Sequence, residues 1–525
     1  MLYSHELRKI EDKLENLERQ ASGLFNEKEY EKALEIYILL FKGNPKVESY
    51  AISCGNCYDA MGDKQQAINF YNQALKINRH SEAAKLNLST IYYEIGNYKK
   101  AENYAREILQ TNPDNLMAWQ NLANIAYCLA KYDEALVYYK KMYEIDNNSY
   151  VAMVNIANTY YALCKYVMAL EYASKSLEQN SESAIAYVIA GNSLKALGKY
   201  GKSINKYIQA FELDNTNIDV LNNLSEAYHA VNDWENSLMF AWKYMKRISE
   251  PTSSVFLNFG YLLYECYSEK SENLAKQYAE KWLKIFPENK IVIHMANAIL
   301  NGEALQGSEN EFIKETFDAF APDFDATLES LEYQAPALIE EELEKYITPS
   351  LFKRYRILDL GCGTGLCGLR LKKYAKFKGL IGVDLSEQML SKAKGRGIYS
   401  ELICEDICAY LEASSTFYDI ITASDVWTYF GDLTRAFVRV SKSLVPNGLF
   451  AFTVSENTEN NKDFFMVPSG RFVHNINYIE KLLKSSGLKT LSATRSVLRN
   501  EAENPVYGYV IVAQKPDLNK QNHQN

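Results

Sequence analysis

The hydrophobic pattern changes character near residue 355. Before that point, apolar residues recur at spacings of three and four within short segments, the mark of amphipathic helices. Aligned on itself, the chain shows a period of 34. Tyr30, Tyr98, Tyr132, Tyr166, Tyr200 and Trp234 share one register, with Lys64 its non-aromatic member. Three positions on, the same register reads Ala33, Ala67, Ala101, Ala135, Ala169, Ser203 and Ser237. Gly62, Gly96 and Gly198 mark a turn inside the unit, and Pro45, Pro113 and Pro287 close units. The pattern predicts a helix pair that cannot bury its own apolar face. The aromatic opens the second helix, the small residue lets the two helices approach, and stacked pairs build one continuous core.

After residue 355 the pattern becomes short apolar runs alternating with amphipathic segments. RILDLG, GLIGVDL, SELICED, YDIITAS and LFAFTVS read as buried strands bounded by Gly, Asp or Ser. GLRLKKYAK, SEQMLSKAKGR and LTRAFVRVSKSLV read as helices between them. This alternation predicts a doubly wound parallel sheet with a ligand site at the carboxyl ends of its strands. The runs KTLSATRSVL and YGYVIVAQK follow the helical NINYIEKLLKSSG with no helix between them, so a closing antiparallel hairpin is expected.

Length supports more than one domain: 525 residues exceed what one core holds. The net charge of −9 is modest, but its distribution is uneven. Residues 309–345 carry twelve acids and two bases, whereas 351–516 carry twenty-two bases and sixteen acids. No run of about 18 apolar residues suits a membrane span. The first twenty residues carry charges throughout, unlike a signal peptide. Nine scattered cysteines fit a reducing compartment, and a cytoplasmic location is expected. Cys362 and Cys367, like Cys404 and Cys408, lack zinc-knuckle spacing and read as small buried hydrophobes, so no metal site is expected.

The first half resembles the tetratricopeptide repeat over about residues 14–290. The eighth unit departs from the register: Asn258, Phe259 and Gly260 fit its first helix, but Ala275 comes a few residues late, implying a longer turn at YSEKSENLAK. KIVIHMANAIL reads as a capping helix. Asn87, Asn121, Asn155 and Asn223 share one position of the first helix, with Asn124, Asn158 and Asn192 one turn on. Amides along an inner surface match a polypeptide backbone of any sequence. The resemblance implies such a role, as in the array of the O-linked glycosyltransferases. The same amides also serve to tie neighbouring helices, and both readings stand.

The glycine-rich loop Asp359-x-Gly361-x-Gly363-x-Gly365 lies at a strand-to-helix turn. A dinucleotide fingerprint fails because Leu366 occupies its third glycine position, and a P-loop fails for want of its lysine. With Asp384 in GVDLS, Asp406 in CEDIC, and Ser424 and Asp425 after the fourth strand, the loop resembles the motif set of class I S-adenosylmethionine-dependent methyltransferases over residues 351–516. The resemblance implies that Asp359, Gly361, Cys362, Gly363, Thr364 and Gly365 form the cofactor loop. It also implies that Asp384 accepts from the ribose hydroxyls beside Leu385 and Met389, and that Asp406 and Ile407 hold the adenine. Ser424 and Asp425 then face the methionine end and the acceptor.

ETFDAFAPDFDATLESLEYQAPALIEEELEKY precedes the first strand and resembles the FDxxAxxFDxxL lid of some methyltransferases, with Tyr333 its candidate cofactor contact. Methyl transfer from a sulfonium is an in-line displacement that mainly demands positioning. Asp425, Tyr429 and His474 are the candidate catalytic groups. Arg471, in the loop of His474, is suited to an acidic group on the acceptor. SDVWTYF replaces the Asn/Asp-Pro-Pro-aromatic signature of many amine and glutamine methyltransferases, and no basic aromatic-rich patch indicates nucleic acid.

The expected organisation is a helical lead-in (1–13), an all-α repeat superhelix (14–302), an acidic linker and lid (303–350), a Rossmann-like α/β domain with a seven-stranded, mostly parallel sheet (351–516), and a disordered tail (517–525). The expected function is methyl transfer from S-adenosylmethionine, with the array recruiting a protein substrate or partner. The alternative is a localising scaffold joined to a domain that serves a small molecule or is inactive.

Overall fold

The computed structural model describes residues 2–302, 309–347, 354–458, 462–501 and 504–517. The end of the tail expected to be disordered, 518–525, lies outside these, as do parts of the linker and the start of the α/β domain. The chain divides into two compact units, Met1–Asp233 and Trp234–Asn525.

The first unit is a series of helix pairs, for example Glu48–Ala60 with Lys64–Ile77 and Ala184–Ala196 with Tyr200–Leu213. The small-residue register does what its spacing predicts: Ala33, Ala67, Ala101, Ala135 and Ala169 are fully buried where helices approach. Gly55 and Gly191 extend that logic, because a Cβ there would stand 2.4 and 2.5 Å from the rings of Tyr71 and Tyr207. The tyrosine hydroxyls are then satisfied within each pair, by Asn56 for Tyr71 (2.8 Å), Asn124 for Tyr139 (2.6 Å) and Asn192 for Tyr207 (2.7 Å). This recurring bond accounts for Asn124 and Asn192 of one asparagine position.

The amides set aside for polypeptide are mostly engaged as well. Asn87 donates to Asn56, the buried Asn121 donates to Ser89 and Thr90, and Asn223 accepts from Lys195. Asn121 therefore does not face an inner surface. A buried amide must be paired, and its nearest partners are hydroxyls on the preceding unit.

In the second unit, the Ser253–Ser268 helix has 16 residues against 13 in Glu48–Ala60. Ala275 is late because this helix is longer, and the turn that follows stays short. The Lys290–Leu300 helix is buried on several faces, through Ile291, Val292, His294, Met295, Ala296, Ala298 and Ile299. It is an interior helix rather than a cap with one polar side. Ala298 packs with Met466 and Phe472 of the α/β domain.

The seven-stranded sheet comprises β1 (Tyr355–Leu360), β2 (Ala375–Asp384), β3 (Glu401–Cys404), β4 (Tyr418–Ala423), β5 (Leu444–Ser455), β8 (Lys489–Glu501) and β9 (Asn504–Gln514). Its order is β3-β2-β1-β4-β5-β9-β8, parallel through β5 and antiparallel from β5 to β9 and β9 to β8. A short hairpin of β6 (Phe464–Met466) and β7 (Phe472–His474) stands apart. Both sheet faces are covered, which is why the strands read as continuous apolar runs. Leu358, Leu360, Ile421, Phe450 and Phe452 fill one side, and Ile357, Ile420, Leu449 and Ala451 the other. β1 and β4 are neighbours while β2 lies on the other side of β1, so the strand order reverses at β1 and opens a crevice beyond its carboxyl end.

Candidate functional site

A cavity of about 170 Å³ occupies that crevice. At one end the chain leaves β1 through Gly361, Gly363 and Gly365, all at positive φ (+59°, +54° and +93°). Two of these have different physical roles. A Cβ on Gly361 would stand 2.5 Å from Val426 Cγ2, so this glycine permits close packing under the turn. A Cβ on Gly363 would meet only the Phe324 ring at 3.9 Å, so this one keeps the cavity open. The Gly363 N–H donates to Asp384 Oδ2 (2.8 Å) and the Ser386 N–H to Asp384 Oδ1 (2.9 Å), fixing the carboxylate at the end of β2. Burial raises the Asp384 pKa, and the backbone N–H groups oppose the rise. Asp406 caps the helix Ile407–Ala413 by accepting from the Ala409 N–H (2.9 Å), and with Leu385 and Ile407 it lines the same end.

The acidic segment before β1 covers the cavity with aromatic rings. Phe317, Phe320, Phe324 and Leu328 line it from the helices Glu309–Phe320 and Phe324–Ser330. Four contacts pin this cover to the glycine turn and the helix after β2: Thr364 Oγ1 donates to Asp325 (2.5 Å), Ser386 Oγ to Asp318 (2.6 Å), Lys392 Nζ to the Pro322 carbonyl (2.6 Å), and Arg396 Nη2 to Asp325. The Tyr333 hydroxyl lies 2.9 Å from Ser424 Oγ, joining the cover to the end of β4.

The opposite end is polar, with two arginines paired to two carboxylates. Arg499, on β8 and 2 % exposed, places Nη1 2.8 Å from both oxygens of Asp425 and Nε 2.6 Å from Glu501 Oε1. Arg471, in the loop before β7, pairs with the same Glu501 oxygen. Both arginines line the cavity with Tyr429 and with Tyr261, which comes from the helix Ser253–Ser268. Burial pulls the Arg499 pKa down, and Asp425 opposes that. For Arg471 burial is outweighed by Tyr429, Asp425 and Tyr261, which hold it above the ordinary arginine range. Burial pushes Tyr261 up to about 12. The loop is held from the Lys290–Leu300 helix, where His294 Nε2 lies 2.7 Å from the Gly470 carbonyl and its ring stacks on Phe312 at 3.8 Å.

Of the residues singled out from the sequence, Gly361, Cys362, Gly363 and Thr364 line the cavity, as do Asp384, Leu385, Asp406 and Ile407. So do Ser424, Asp425, Tyr333 and Tyr429. Four others are seated elsewhere. Asp359 lies beneath the turn, 1 % exposed, accepting from the Tyr399 hydroxyl (2.6 Å) and Thr422 Oγ1 (3.0 Å), and burial raises its pKa to about 6. A Cβ on Gly365 would stand 3.0 Å from the Tyr399 ring, and Met389 is fully buried in the core. His474 is also fully buried, with Nε2 3.1 Å from the Gly431 carbonyl, and burial lowers its pKa to about 4. Asp425 reaches the cavity with both oxygens on Arg499, the arrangement of a positioned acid and not of a free base. Cys362 and Cys367 are buried, and burial raises both thiols well above the ordinary value. Sequence reading missed Arg499, Glu501 and Tyr261. Arg499 and Glu501 lie just past the strand run KTLSATRSVL, and their position beside the strand was the one available signal.

A methyltransferase domain model matches residues 357–448, and tetratricopeptide repeat models match 60–125 and 191–232. The chain joins tetratricopeptide repeats to a methyltransferase domain. Over 136 residues it is 29% identical to a malonyl-[acyl-carrier protein] O-methyltransferase of Bacillus cytotoxicus, covering 24% of this chain and 47% of that one. Among solved structures, a SAM-dependent methyltransferase of Methanosarcina mazei aligns at 18% identity and a TM-score of 0.28, covering 33% of this chain and 97% of that one. A tetratricopeptide repeat protein of Parabacteroides merdae aligns at 17% identity and a TM-score of 0.38, covering 46% and 95%. The chain spans about half the length, or less, of the curated relatives it matches. Among the described residues no helix is long and apolar enough to cross a membrane.

Proposed function

We propose that the methyltransferase domain uses S-adenosylmethionine and that the repeat array recruits a protein substrate or partner to it. One observation carries the first part: a single aromatic-covered cavity meets Gly363, Asp384, Asp406 and Ile407 at one end and a polar cluster at the other. The donor set fits the cofactor. Each Asp384 oxygen accepts one backbone N–H, which leaves lone pairs for a pair of ribose hydroxyls. Ile407 offers an apolar surface for a flat base, with the Asp406 carboxylate beside it to accept from an exocyclic amine. The open space above Gly363 lets the backbone approach a ligand closely. When bound, S-adenosylmethionine supplies a sulfonium-activated methyl group, and the chain's own task is to align an acceptor with it and exclude water.

For the array, support comes from exposed apolar residues more than from asparagines. Met117, Val151 and Ile185 follow one another at the repeat period and are 50%, 36% and 65% exposed. Apolar groups at repeat spacing suit an extended partner chain. The scaffold reading is favoured by the engaged Asn87 and Asn121, and it predicts a partner that receives no methyl group. Calorimetry with S-adenosylhomocysteine tests the cofactor assignment. Asp384→Asn is expected to weaken binding by about ten- to a hundredfold, the worth of hydrogen bonds to a charged group. Unchanged affinity in that variant would remove Asp384 from the site.

A further inference from the structure

Three repeat units tie their helices together with one bond, in which Tyr71, Tyr139 or Tyr207 donates to Asn56, Asn124 or Asn192. Each of these tyrosines stands four residues after the small-residue register, at Ala67, Ala135 and Ser203. The last unit keeps neither member of the pair. Its small residue is Ala275, and four positions on stands Ala279, fully buried. The first helix differs too: three residues after Asn121 and Asn155 come Asn124 and Asn158, whereas three after Asn258 comes Tyr261. With no phenol at the partner register, that position is not tied inside the unit. Phe256, Leu257, Phe259 and Leu263 of the same helix stay in the repeat core. Tyr261 instead lines the cavity of the methyltransferase domain and meets Phe320 of its cover edge-on at 5.9 Å.

We infer that the end of the repeat array is a working part of the methyl-transfer site: Tyr261 is a specificity-determining contact for the methyl acceptor, and His294 is a positioning residue for the Arg471 loop and the cover. This rests on the methyltransferase reading above and deepens it. The glycine turn, Asp384 and Asp406 take the cofactor at one end of the cavity, so what enters beside Tyr261 is the acceptor. Burial pushes the Tyr261 phenol up to about 12, with Arg471 opposing, so the hydroxyl keeps its proton at neutral pH. It can donate through that proton and accept through its oxygen. Arg471 and Arg499 are already balanced by Asp425 and Glu501. Selection by Tyr261 therefore works through hydrogen bonding and shape, because an acceptor that leaves a buried hydroxyl unpaired is disfavoured.

His294 serves the same end from the Lys290–Leu300 helix. Its Nε2 lies 2.7 Å from the Gly470 carbonyl, which can only accept, so Nε2 carries the proton and donates. Gly470 adjoins Arg471, sits at φ +78° and closes a tight turn through its N–H to the Val467 carbonyl (2.9 Å). A Cβ on Gly470 would stand 3.1 Å from the His294 ring and from Met295 Sδ, so the turn rests directly on the helix. The face of the His294 ring stacks on Phe312 at 3.8 Å, in the cover helix whose Phe317 meets Tyr429 edge-on at 5.1 Å. One side chain thus fixes the Arg471 loop by a hydrogen bond and the cover by its ring. Misplacement of such groups by about 1 Å is enough to cost up to about a hundredfold in rate.

The test uses the full chain, S-adenosylmethionine tritiated on the methyl group, and a dilution series of cell lysate as the acceptor source. The series yields a maximal rate and a half-saturating lysate concentration, and calorimetry with S-adenosylhomocysteine reports the cofactor end separately. Tyr261→Phe removes only the hydroxyl and keeps the ring against Phe320. It is expected to raise the half-saturating concentration by about tenfold, with S-adenosylhomocysteine affinity within about threefold. Unchanged labelling, or a matching loss of S-adenosylhomocysteine binding, overturns the assignment of Tyr261 to the acceptor. His294→Phe keeps a ring against Phe312 without the donor, and His294→Gln keeps a donor without the ring. Labelling at limiting lysate is expected to fall about tenfold in His294→Phe and to recover in part in His294→Gln, with cofactor affinity held in both. Unchanged labelling in His294→Phe, equal losses in the two variants, or losses that follow melting temperature and not the donor overturn the positioning role. If S-adenosylhomocysteine fails to bind the parent chain, the methyltransferase reading falls and this inference with it; if it binds and nothing is labelled, this inference alone falls.

Discussion

Asp359 and Asp384 show how the same residue type at the end of adjacent strands takes different work. Asp384 turns to the cavity and is held by backbone N–H groups, whereas Asp359 turns beneath the glycine loop to Tyr399 and Thr422. The difference yields a prediction about stability. Burial raises the Asp359 pKa from the ordinary 3.8 to about 6. The folded state therefore holds this proton more tightly than the unfolded chain. Stability from that proton is fully present below about pH 4 and is lost as pH rises through 6. A displacement of that size corresponds to about 3 kcal/mol. Asp359→Asn removes the ionisation while keeping a side-chain oxygen to accept a hydrogen bond. Its stability relative to the parent should improve by about that amount between pH 4 and pH 7 in urea unfolding, with S-adenosylhomocysteine affinity unchanged within about threefold. A parallel pH dependence in the two proteins would show that Asp359 is not the titrating group. The sequence placed both acids at strand ends, because alternation and strand length are local. It did not say which acid faces the ligand, because that depends on Tyr399, forty residues away. Arg499 and Tyr261 were missed for the same reason: each enters the site through contacts distant in the chain.

Periodic elements were the most legible features. The 34-residue register located the helix pairs, and the alternating apolar runs located the sheet and its closing hairpin, because both patterns are direct images of burial. Departures arose where an element was lengthened or enclosed, as with the Ser253–Ser268 helix and the interior Lys290–Leu300 helix. The glycine turn lies between these cases: its spacing announced a backbone approach, but not which glycine serves packing and which the cavity. Gly361→Ala must fit a Cβ 2.5 Å from Val426 while holding φ at +59°. The combined overpacking and backbone strain should cost about 2–4 kcal/mol. Gly363→Ala carries only the backbone strain, about 1–2 kcal/mol, because its Cβ enters open space. It should lose S-adenosylhomocysteine affinity out of proportion to its stability. Thermal unfolding and calorimetry on both variants check this, and equal losses in both properties would show that the two glycines act alike.

At the scale of the molecule, the compositional change near residue 355 and the structural division after Asp233 do not coincide. Helices that continue the repeat pattern contribute to the cavity and hold its loops. Tyr261 lines the cavity and meets Phe320 edge-on at 5.9 Å, His294 holds the Gly470 carbonyl, and Ala298 packs with Met466 and Phe472. Where the chain is cut should therefore decide whether the methyltransferase domain survives. A protein of residues 234–525 keeps all of these contacts and is expected to unfold cooperatively and to bind S-adenosylhomocysteine within about threefold of the full chain. A protein of residues 303–525 begins at the expected end of the repeat array and strips the cover from Phe312, Met466 and Phe472, which are 4%, 1% and 4% exposed in the full chain. Exposing three such side chains costs about 5 kcal/mol. For a domain of this size that corresponds to a melting temperature lower by about 10–20 °C. The shorter protein should also bind a hydrophobic dye that the longer one excludes. Equal melting temperatures would mean that the repeat-derived helices merely adjoin the methyltransferase domain, whereas the expected gap makes the last repeat a structural part of the cavity's wall.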